Sequence, residues 1–395
     1  MTGFVSGRKA GRPVTALREI AARERAVAMA MADPFSDWEQ SLSELNRLAD
    51  TAGADVVAAV TQKRQKREAA TYLGKGKAEE ARDLAGRLGA DLAIVDADLT
   101  PVQQRNLERI VGLPVIDRVG LILDIFARRA RSNEGKLHVE LAQLTYMLPR
   151  LAGRGVLLSR LGGGIGTRGP GETKLEVDRR RIRHRMGVLK KQAKRIAASR
   201  RVQRRSRQKS GIPLACLVGY TNAGKSTLFN GLSGAGVFVQ DKLFATLDPT
   251  IRRVRLPGGP LILLSDTVGF IRNLPAQLIA AFRATLEEVT EADILIHLLD
   301  ASHPDMLAQK AAVEATLGEL GASDKITICA LNKADLVQDK LSLHILAQKF
   351  QPAAAISAKT GEGLPRLLEL IGETLEVSRQ EQLASVADED SAANR

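Results

Sequence analysis

Apolar residues along the chain change their spacing several times, and each change marks an element. From Asp37 to about Ala127, helical and extended spacings alternate. SLSELNRLADTAG is helical, DVVAAVTQ strand-like, KAEEARDLAGRLGA helical and DLAIVDADL strand-like. TPVQQRNLERIVGL is helical, with Thr100 as N-cap and Pro101 at the first helical position; PVIDR is a short strand, and GLILDIFARRA turns helical again. This alternation predicts a parallel sheet joined by right-handed crossovers. Ahead of it, residues 1–36 are polar and basic and read as an extension, with a helical pattern over TALREIAARERAVAMAMA. GKGK, Gly74 to Lys77, is too short for a phosphate loop and opens a helix instead.

Further on the period becomes that of paired helices. Leu137, Leu141, Leu144, Leu148 and Leu151 step by four, three, four, three, and so do Ile182, Met186, Leu189, Ala193 and Ile196. Two short heptad seams predict a helical hairpin. Thr173 and Glu176 form a capping box at the start of the second helix. From there to Lys209 there is no proline and one glycine, Gly187, so at 1.5 Å per residue the helix reaches roughly 50 Å. Between the helices, AGRGVLLSRLGGGIGTRGPGE holds eight glycines and three arginines. Exposed amides with interspersed arginine suit phosphate contacts better than a plain linker does.

Charge sharpens that picture. The chain carries a net +13, and residues 179–209 hold fifteen Lys and Arg with no Asp or Glu. One segment therefore accounts for the whole positive excess. It predicts a polyanionic partner, with nucleic acid favoured over a membrane surface. The 395 residues allow two or three domains of ~150 residues each. No run approaches the ~18 apolar residues of a membrane span, the basic N-terminus lacks a signal-peptide core, and SAANR carries no prenylation motif, so stable membrane insertion is not expected. Cys216 and Cys329 lie in apolar runs and are expected as buried thiols.

The chemistry is concentrated after Ile212. PLACLVG is a buried strand, and GYTNAGKSTLFNGL follows as loop and helix. Gly219, Tyr220, Thr221, Asn222, Ala223, Gly224, Lys225 and Ser226 fit GxxxxGK[ST], with Thr227 next. Amides converging on phosphate, a lysine for the β and γ phosphates and a hydroxyl for Mg²⁺ are what that spacing supplies. LILLSDTVG ends a strand with Asp266, Thr267, Val268 and Gly269; the carboxylate suits the magnesium shell and the Gly269 amide the γ phosphate. ITICALNKAD ends another with Asn332, Lys333, Ala334 and Asp335, where a carboxylate can accept both N–H donors of guanine. In AAAISAKTGEG, Ser357, Ala358 and Lys359 put a backbone amide near the guanine O6. Four motifs in order at strand ends predict GTP and GDP as ligands.

The phrases around these motifs include TYLGKGK, LTPVQQRNLER, VIDRVGLILDIFARRARSNEGKLHVELAQLTYMLPRL, GGGIGTRGPGETKLEVDRRRIR, GYTNAGKSTLFN and LFATLDPT. From roughly Val57 to Leu375 they resemble the HflX family of translation-factor-related GTPases. The resemblance implies a GTPase that binds the large ribosomal subunit and its rRNA and splits or recycles stalled or idle ribosomes under stress. The N-terminal domain and helical arm would contact RNA. It also makes LFATLDPT switch I. Thr246 then joins Ser226 as a magnesium ligand, with Thr250 as the alternative, and Phe244, Ala245, Leu247 and Asp248 line the nucleotide. Mg²⁺ is the implied cofactor. K⁺ stays open, because Asn222 stands where related GTPases help hold potassium, or else braces the loop. An RNA-binding GTPase of ribosome assembly or RNA modification is the alternative reading.

The expected fold is α/β: a polar, basic extension (1–36), an N-terminal parallel α/β domain (37–127), a helical hairpin arm with its glycine-rich loop (128–210), a P-loop GTPase domain with a mostly parallel sheet (211–377) and an acidic, disordered tail (378–395). A monomer working in the cytoplasm is expected, with peripheral contact at the membrane left open. Lys225, Thr246, Asp266 and Gly269 are the expected catalytic set. Phe270 stands where many such enzymes carry a glutamine that aims the attacking water. An apolar side chain cannot do so, and it is expected to pack inward and anchor switch II.

Overall fold

The computed structural model describes residues 23–33, 37–64, 66–151, 174–209, 211–234, 243–244, 246–272 and 286–393. Its first element is a strand, β1 (Glu24–Met31), flanked by β2 (Ala54–Gln62) and β3 (Leu92–Val95). With β4 (Val115–Asp117) these make a parallel sheet of order β2-β1-β3-β4. The intervening helices are α1 (Trp38–Ala52), α2 (Lys75–Leu88), α3 (Pro101–Val111) and α4 (Arg118–Arg129). Successive β1 side chains point to opposite faces. Ala26 and Ala28 pack with Leu45 and Leu48 of α1 and Ile122 of α4, while Val27 and Met29 pack with Ala78 and Ala81 of α2 and Leu107 of α3. Thr100 and Gln103 close a capping box on α3, with Pro101 in its first turn, and Gly74 caps α2.

The helical pattern over residues 15–32 is corrected here, and with it the placing of all of 1–36 outside the domain. ERAVAMAM is rich in helix formers, yet it pairs on both edges and is buried on both faces, and that context overrides local propensity. The sheet thus begins inside that segment.

The hairpin pairs α5 (Asn133–Arg150) with α6 (Lys174–Lys209), and all ten seam residues meet in one apolar cluster. Arg185 grips Glu140 through two bonds of 2.7 and 2.8 Å, and Arg200 reaches Glu134 at 2.8 Å. Thr173 and the glycine-rich stretch 152–172 lie outside the described residues.

The second sheet comprises β5 (Leu214–Gly219), β6 (Thr250–Arg255), β7 (Leu261–Asp266), β8 (Ile294–Asp300), β9 (Thr327–Asn332) and β10 (Ala353–Ala355). Its order is β10-β9-β8-β5-β7-β6, and β6 runs antiparallel to β7. Helices α7 (Lys225–Ser233) and α10 (Leu364–Ala393) carry side chains onto one face, α8 (Met306–Glu319) onto the other, and α9 (Lys340–Lys349) packs near the β9–β10 edge. The tail expected to be disordered from residue 378 instead continues α10 to Ala393; neither proline nor glycine follows Gly372 to stop it. The expected α/β architecture with its P-loop domain is otherwise present. Cys216 and Cys329 are free and buried. Among the described residues no helix is long and apolar enough to cross a membrane.

One apolar cluster spans both sheets. It joins Phe126 and Tyr146 beside the first to Phe244, Val268 and Phe270 beside the second. Several hydrogen bonds cross the same boundary, so the two layers meet at the edge of the loops that follow β5 and β7.

Candidate nucleotide site

The loop after β5 reverses into α7 through backbone that few side chains tolerate. Asn222 has φ 64° and Gly224 φ 98°. A Cβ at Gly224 would collide with the Asn332 side chain, so glycine is required there. Lys225 is buried, and its Nζ donates to the carbonyls of Gly219 at 2.9 Å and Tyr220 at 2.8 Å. Burial lowers its pKa to about 8 despite the attraction of Asp266. The ammonium is held over the loop by the loop's own backbone, at the N-terminus of α7 where anions are favoured.

Three oxygens converge beside it. Ser226 Oγ lies 2.7 Å from Thr246 Oγ1 and 2.8 Å from Asp266 Oδ2, and Thr246 Oγ1 lies 3.0 Å from the same carboxylate oxygen. The other Asp266 oxygen is buried without a hydrogen-bond partner, and burial raises the carboxyl pKa against the pull of Lys225 and the two hydroxyls. A hard, oxygen-only set with one carboxylate fits Mg²⁺, which takes few protein ligands and completes its shell from water and phosphate. Among the described residues no group of three His, Cys, Asp or Glu lies together as a metal cage.

The start of switch II is tied to the phosphate loop. The Phe270 N–H donates to the Gly219 carbonyl at 3.1 Å, and the Thr221 N–H to the Phe270 carbonyl at 2.7 Å. The Phe270 ring is 1 % exposed, packed into the shared core. A Cβ at Gly269 would stand 3.0 Å from Thr221 Cα and 3.1 Å from Lys225 Nζ, so only a bare amide fits. Thr267 is wholly buried and donates to the Leu217 carbonyl at 2.6 Å, and Val268 is buried in the shared core.

The purine end is organised by Asn332. Its amide donates to the Ala223 carbonyl at 2.7 Å and accepts from the Ala358 N–H at 2.9 Å, stapling the phosphate loop to the ISAK loop. Lys333 pairs with Asp300 at 2.6 Å, and the Ala334 N–H donates to the Ile356 carbonyl at 3.0 Å. Asp335 is exposed, and the buried Ser357 hydroxyl holds its carboxyl below the usual range, as does nearby Lys359. Its carboxylate is ionised and open to solvent.

Switch I divides. Thr246 joins the oxygen cluster, but Phe244 and Leu247 are 2 % exposed in the apolar core and Asp248 bonds to the start of α5. Of these residues, all expected at the nucleotide, Phe244 sets its ring against Phe126 of α4 and Asp248 its carboxylate over the residues that open α5. Ala245 lies outside the described residues. Thr250 opens β6, in register with Asp266.

A second set of polar residues joins Tyr220 of the phosphate loop to residues that belong to no motif. The Tyr220 hydroxyl donates to Glu44 of α1 at 2.8 Å and accepts from the Arg272 N–H at 2.9 Å. Arg118 of α4 bridges Glu44 at 3.0 Å and Asp96 at 2.7 Å and donates to the Arg272 carbonyl at 3.3 Å. Burial pushes the Glu44 carboxyl and the Tyr220 hydroxyl up. An aromatic inside a phosphate loop was the available signal, and its partners lie 52 and 176 residues away.

Residues 39–127 match a family described as GTP-binding GTPase N-terminal, residues 129–207 one described as GTP-binding GTPase middle region, and residues 214–333 one described as 50S ribosome-binding GTPase. A GTPase HflX of Caldanaerobacter subterraneus subsp. tengcongensis is 52 % identical over 349 residues, covering 88 % of this chain and 80 % of that protein. The GTPase HflX of Escherichia coli K12 is 43 % identical over 337 residues, covering 85 % and 79 %. A GTP-binding protein from Sulfolobus solfataricus, solved with GDP, aligns at TM-score 0.47 and 24 % identity over 89 % of this chain and 99 % of that one.

Proposed function

This chain belongs to the HflX family of GTPases, and from that premise we propose that it binds the large ribosomal subunit through its rRNA and couples GTP binding and hydrolysis to splitting or recycling stalled or idle ribosomes. The observation that carries the reading is α6: a 36-residue helix with fifteen basic residues and no acidic one from residue 179 on, packed on α5 and leading into the strand of the phosphate loop. Solvated helix faces mix signs; a one-sign stalk of this length suits a phosphate backbone.

In this reading the loop amides and Lys225 would hold the phosphates, and Asp266 fixes the Ser226 and Thr246 hydroxyls that would ligate Mg²⁺. The cation would supply charge neutralisation to the transferring phosphoryl group. The Gly269 amide faces the γ phosphate, and the Asp335 carboxylate accepts from guanine. Phe270 is buried and cannot aim water. A missing orienting or charge-stabilising group is worth about 10³ to 10⁵ in rate, so the free protein turns over slowly and ribosome docking completes the site. A K⁺ ion beside Asn222 is a second source of charge; exchanging K⁺ for Na⁺ is expected to slow basal hydrolysis in the wild type and not in Asn222→Ala. The setting is cytoplasmic.

Sedimentation with GTP tests the reading. The protein is expected to co-migrate with mature large subunits, convert whole ribosomes to subunits and gain ten-fold or more in kcat when subunits are added. Binding confined to immature particles would favour a role in ribosome assembly. Equal rates with and without subunits would remove the ribosome as activator.

A further inference from the structure

The segment that carries Thr246 is mounted on the other half of the molecule. Two residues before it, Phe244 takes φ 55° and buries its ring edge-on against Phe126 of α4, with centroids 4.7 Å apart and planes at 74°. Two residues after it, Asp248 sits over the start of α5. One carboxylate oxygen accepts from the Arg131 N–H at 3.0 Å and the Ser132 N–H at 2.8 Å, and the other takes the Ser132 hydroxyl. Ser132 is itself the N-cap of α5, accepting from the Gly135 N–H at 2.8 Å. A Cβ at Gly135 would collide with the Asp248 carboxylate, so the helix is bare where switch I lands on it. A carboxylate at a helix N-terminus meets free amides and a favourable dipole. The contact is thus an extra cap, supplied from 116 residues away.

Neither anchor belongs to the GTPase sheet. Phe126 and Ser132 flank the corner between α4 and α5, which is the foot of the helical arm. We propose that Phe244 and Asp248 are positioning residues for GTP hydrolysis: from the α4–α5 corner they hold the Thr246 hydroxyl against Ser226 and Asp266. The arm's foot is therefore part of the switch I mount. Coupling of this kind is reciprocal. A nucleotide that engages Thr246 steadies the first turn of α5, and a partner that shifts the arm changes the presentation of Thr246. The proposal rests on the assignment of Thr246 to the magnesium site.

The test uses the full chain and five variants: Asp248→Ala, Asp248→Asn, Ser132→Ala, Thr246→Ala and the double variant Asp248→Ala with Ser132→Ala. Steady-state kinetics, GDP affinity and hydrogen exchange in residues 133–137 are measured for each, the last with GDP and with a non-hydrolysable GTP analogue. Asp248→Ala and Ser132→Ala are expected to lower kcat by about ten-fold or more, since a displacement near 1 Å can cost ~10². GDP affinity stays within about two-fold, which also reports a folded site. Asp248→Asn retains more activity, because its amide oxygen still accepts. The double variant falls no further than the worse single one, the mark of one shared interaction. In the wild type the analogue slows exchange in the first turn of α5 relative to GDP; in Asp248→Ala and Thr246→Ala it does not. Wild-type kcat in both Asp248→Ala and Ser132→Ala, or α5 exchange blind to the nucleotide in the wild type, overturns the proposal if Thr246→Ala still slows hydrolysis. If Thr246→Ala hydrolyses normally, the assignment of Thr246 fails first.

Discussion

Lys225 rests its ammonium on two carbonyls of its own loop, buried, with a pKa lowered to about 8. The folded chain releases this proton near pH 8, whereas an unfolded lysine keeps it to about 10.4. Burial therefore weighs on stability below about pH 8, and the penalty fades as pH rises through that window. Phosphate requires the charged form. Above about pH 8, GTP binding must take up a proton, and affinity falls by up to roughly ten-fold per pH unit. Calorimetry at pH 9 in buffers of different ionisation enthalpy is expected to show uptake approaching one proton; none would mean the free lysine is already charged. At the purine end, Asp335→Asn replaces a pure acceptor by a mixed amide. GTP turnover is expected to fall steeply while xanthosine triphosphate, which presents one donor and one acceptor on that edge, becomes the better substrate. A site that keeps its preference for GTP would show that Asp335 does not read the base. The motif residues were legible because a phosphate loop and a guanine contact leave local spacing. The roles of Tyr220, Glu44, Arg118 and Arg272 were not, since partners so far apart in sequence leave no local pattern. Phe244 and Asp248 were placed at the nucleotide by resemblance; their side-chain contacts with α4 and the start of α5, more than 100 residues away, left no local pattern either.

Among the elements, the hairpin was readable because its seam repeats. Leu144 and Leu189 are each 1 % exposed within it, and Leu189→Ala should remove about 2–5 kcal/mol of packing. The expected outcome is faster hydrogen exchange along both α5 and α6 with GDP affinity retained, because the hairpin can open as a local unit. Exchange that speeds up equally in the second sheet would show instead that hairpin and GTPase domain unfold together. β1 was unreadable for the opposite reason. Its alanines and methionines favour a helix in isolation, and burial on both faces removes the polar alternation that identifies a strand. The far end of α10 was expected to be disordered because the sequence is acidic, but it holds no proline or glycine to stop the helix, which runs on to Ala393.

Over the whole molecule the charge is asymmetric, with the net +13 drawn from one helix. If that helix and its loop neutralise ~6 to 10 phosphates, affinity for large subunits drops by ~10³ to 10⁵ between about 50 and 200 mM salt. Binding measured across that range is expected to follow a steep log–log line, and a flat response would exclude an RNA backbone as the main contact. The contact of Asp248 with the foot of α5 has a mechanical corollary. From Ser132 the helix runs 18 residues, a lever of about 27 Å. Its last turns are themselves tied to the first domain, Tyr146 to Asp117 at 2.7 Å and Arg150 to Asp117 at 2.9 Å, so a shift of switch I would pass through α5 into that whole domain as one body.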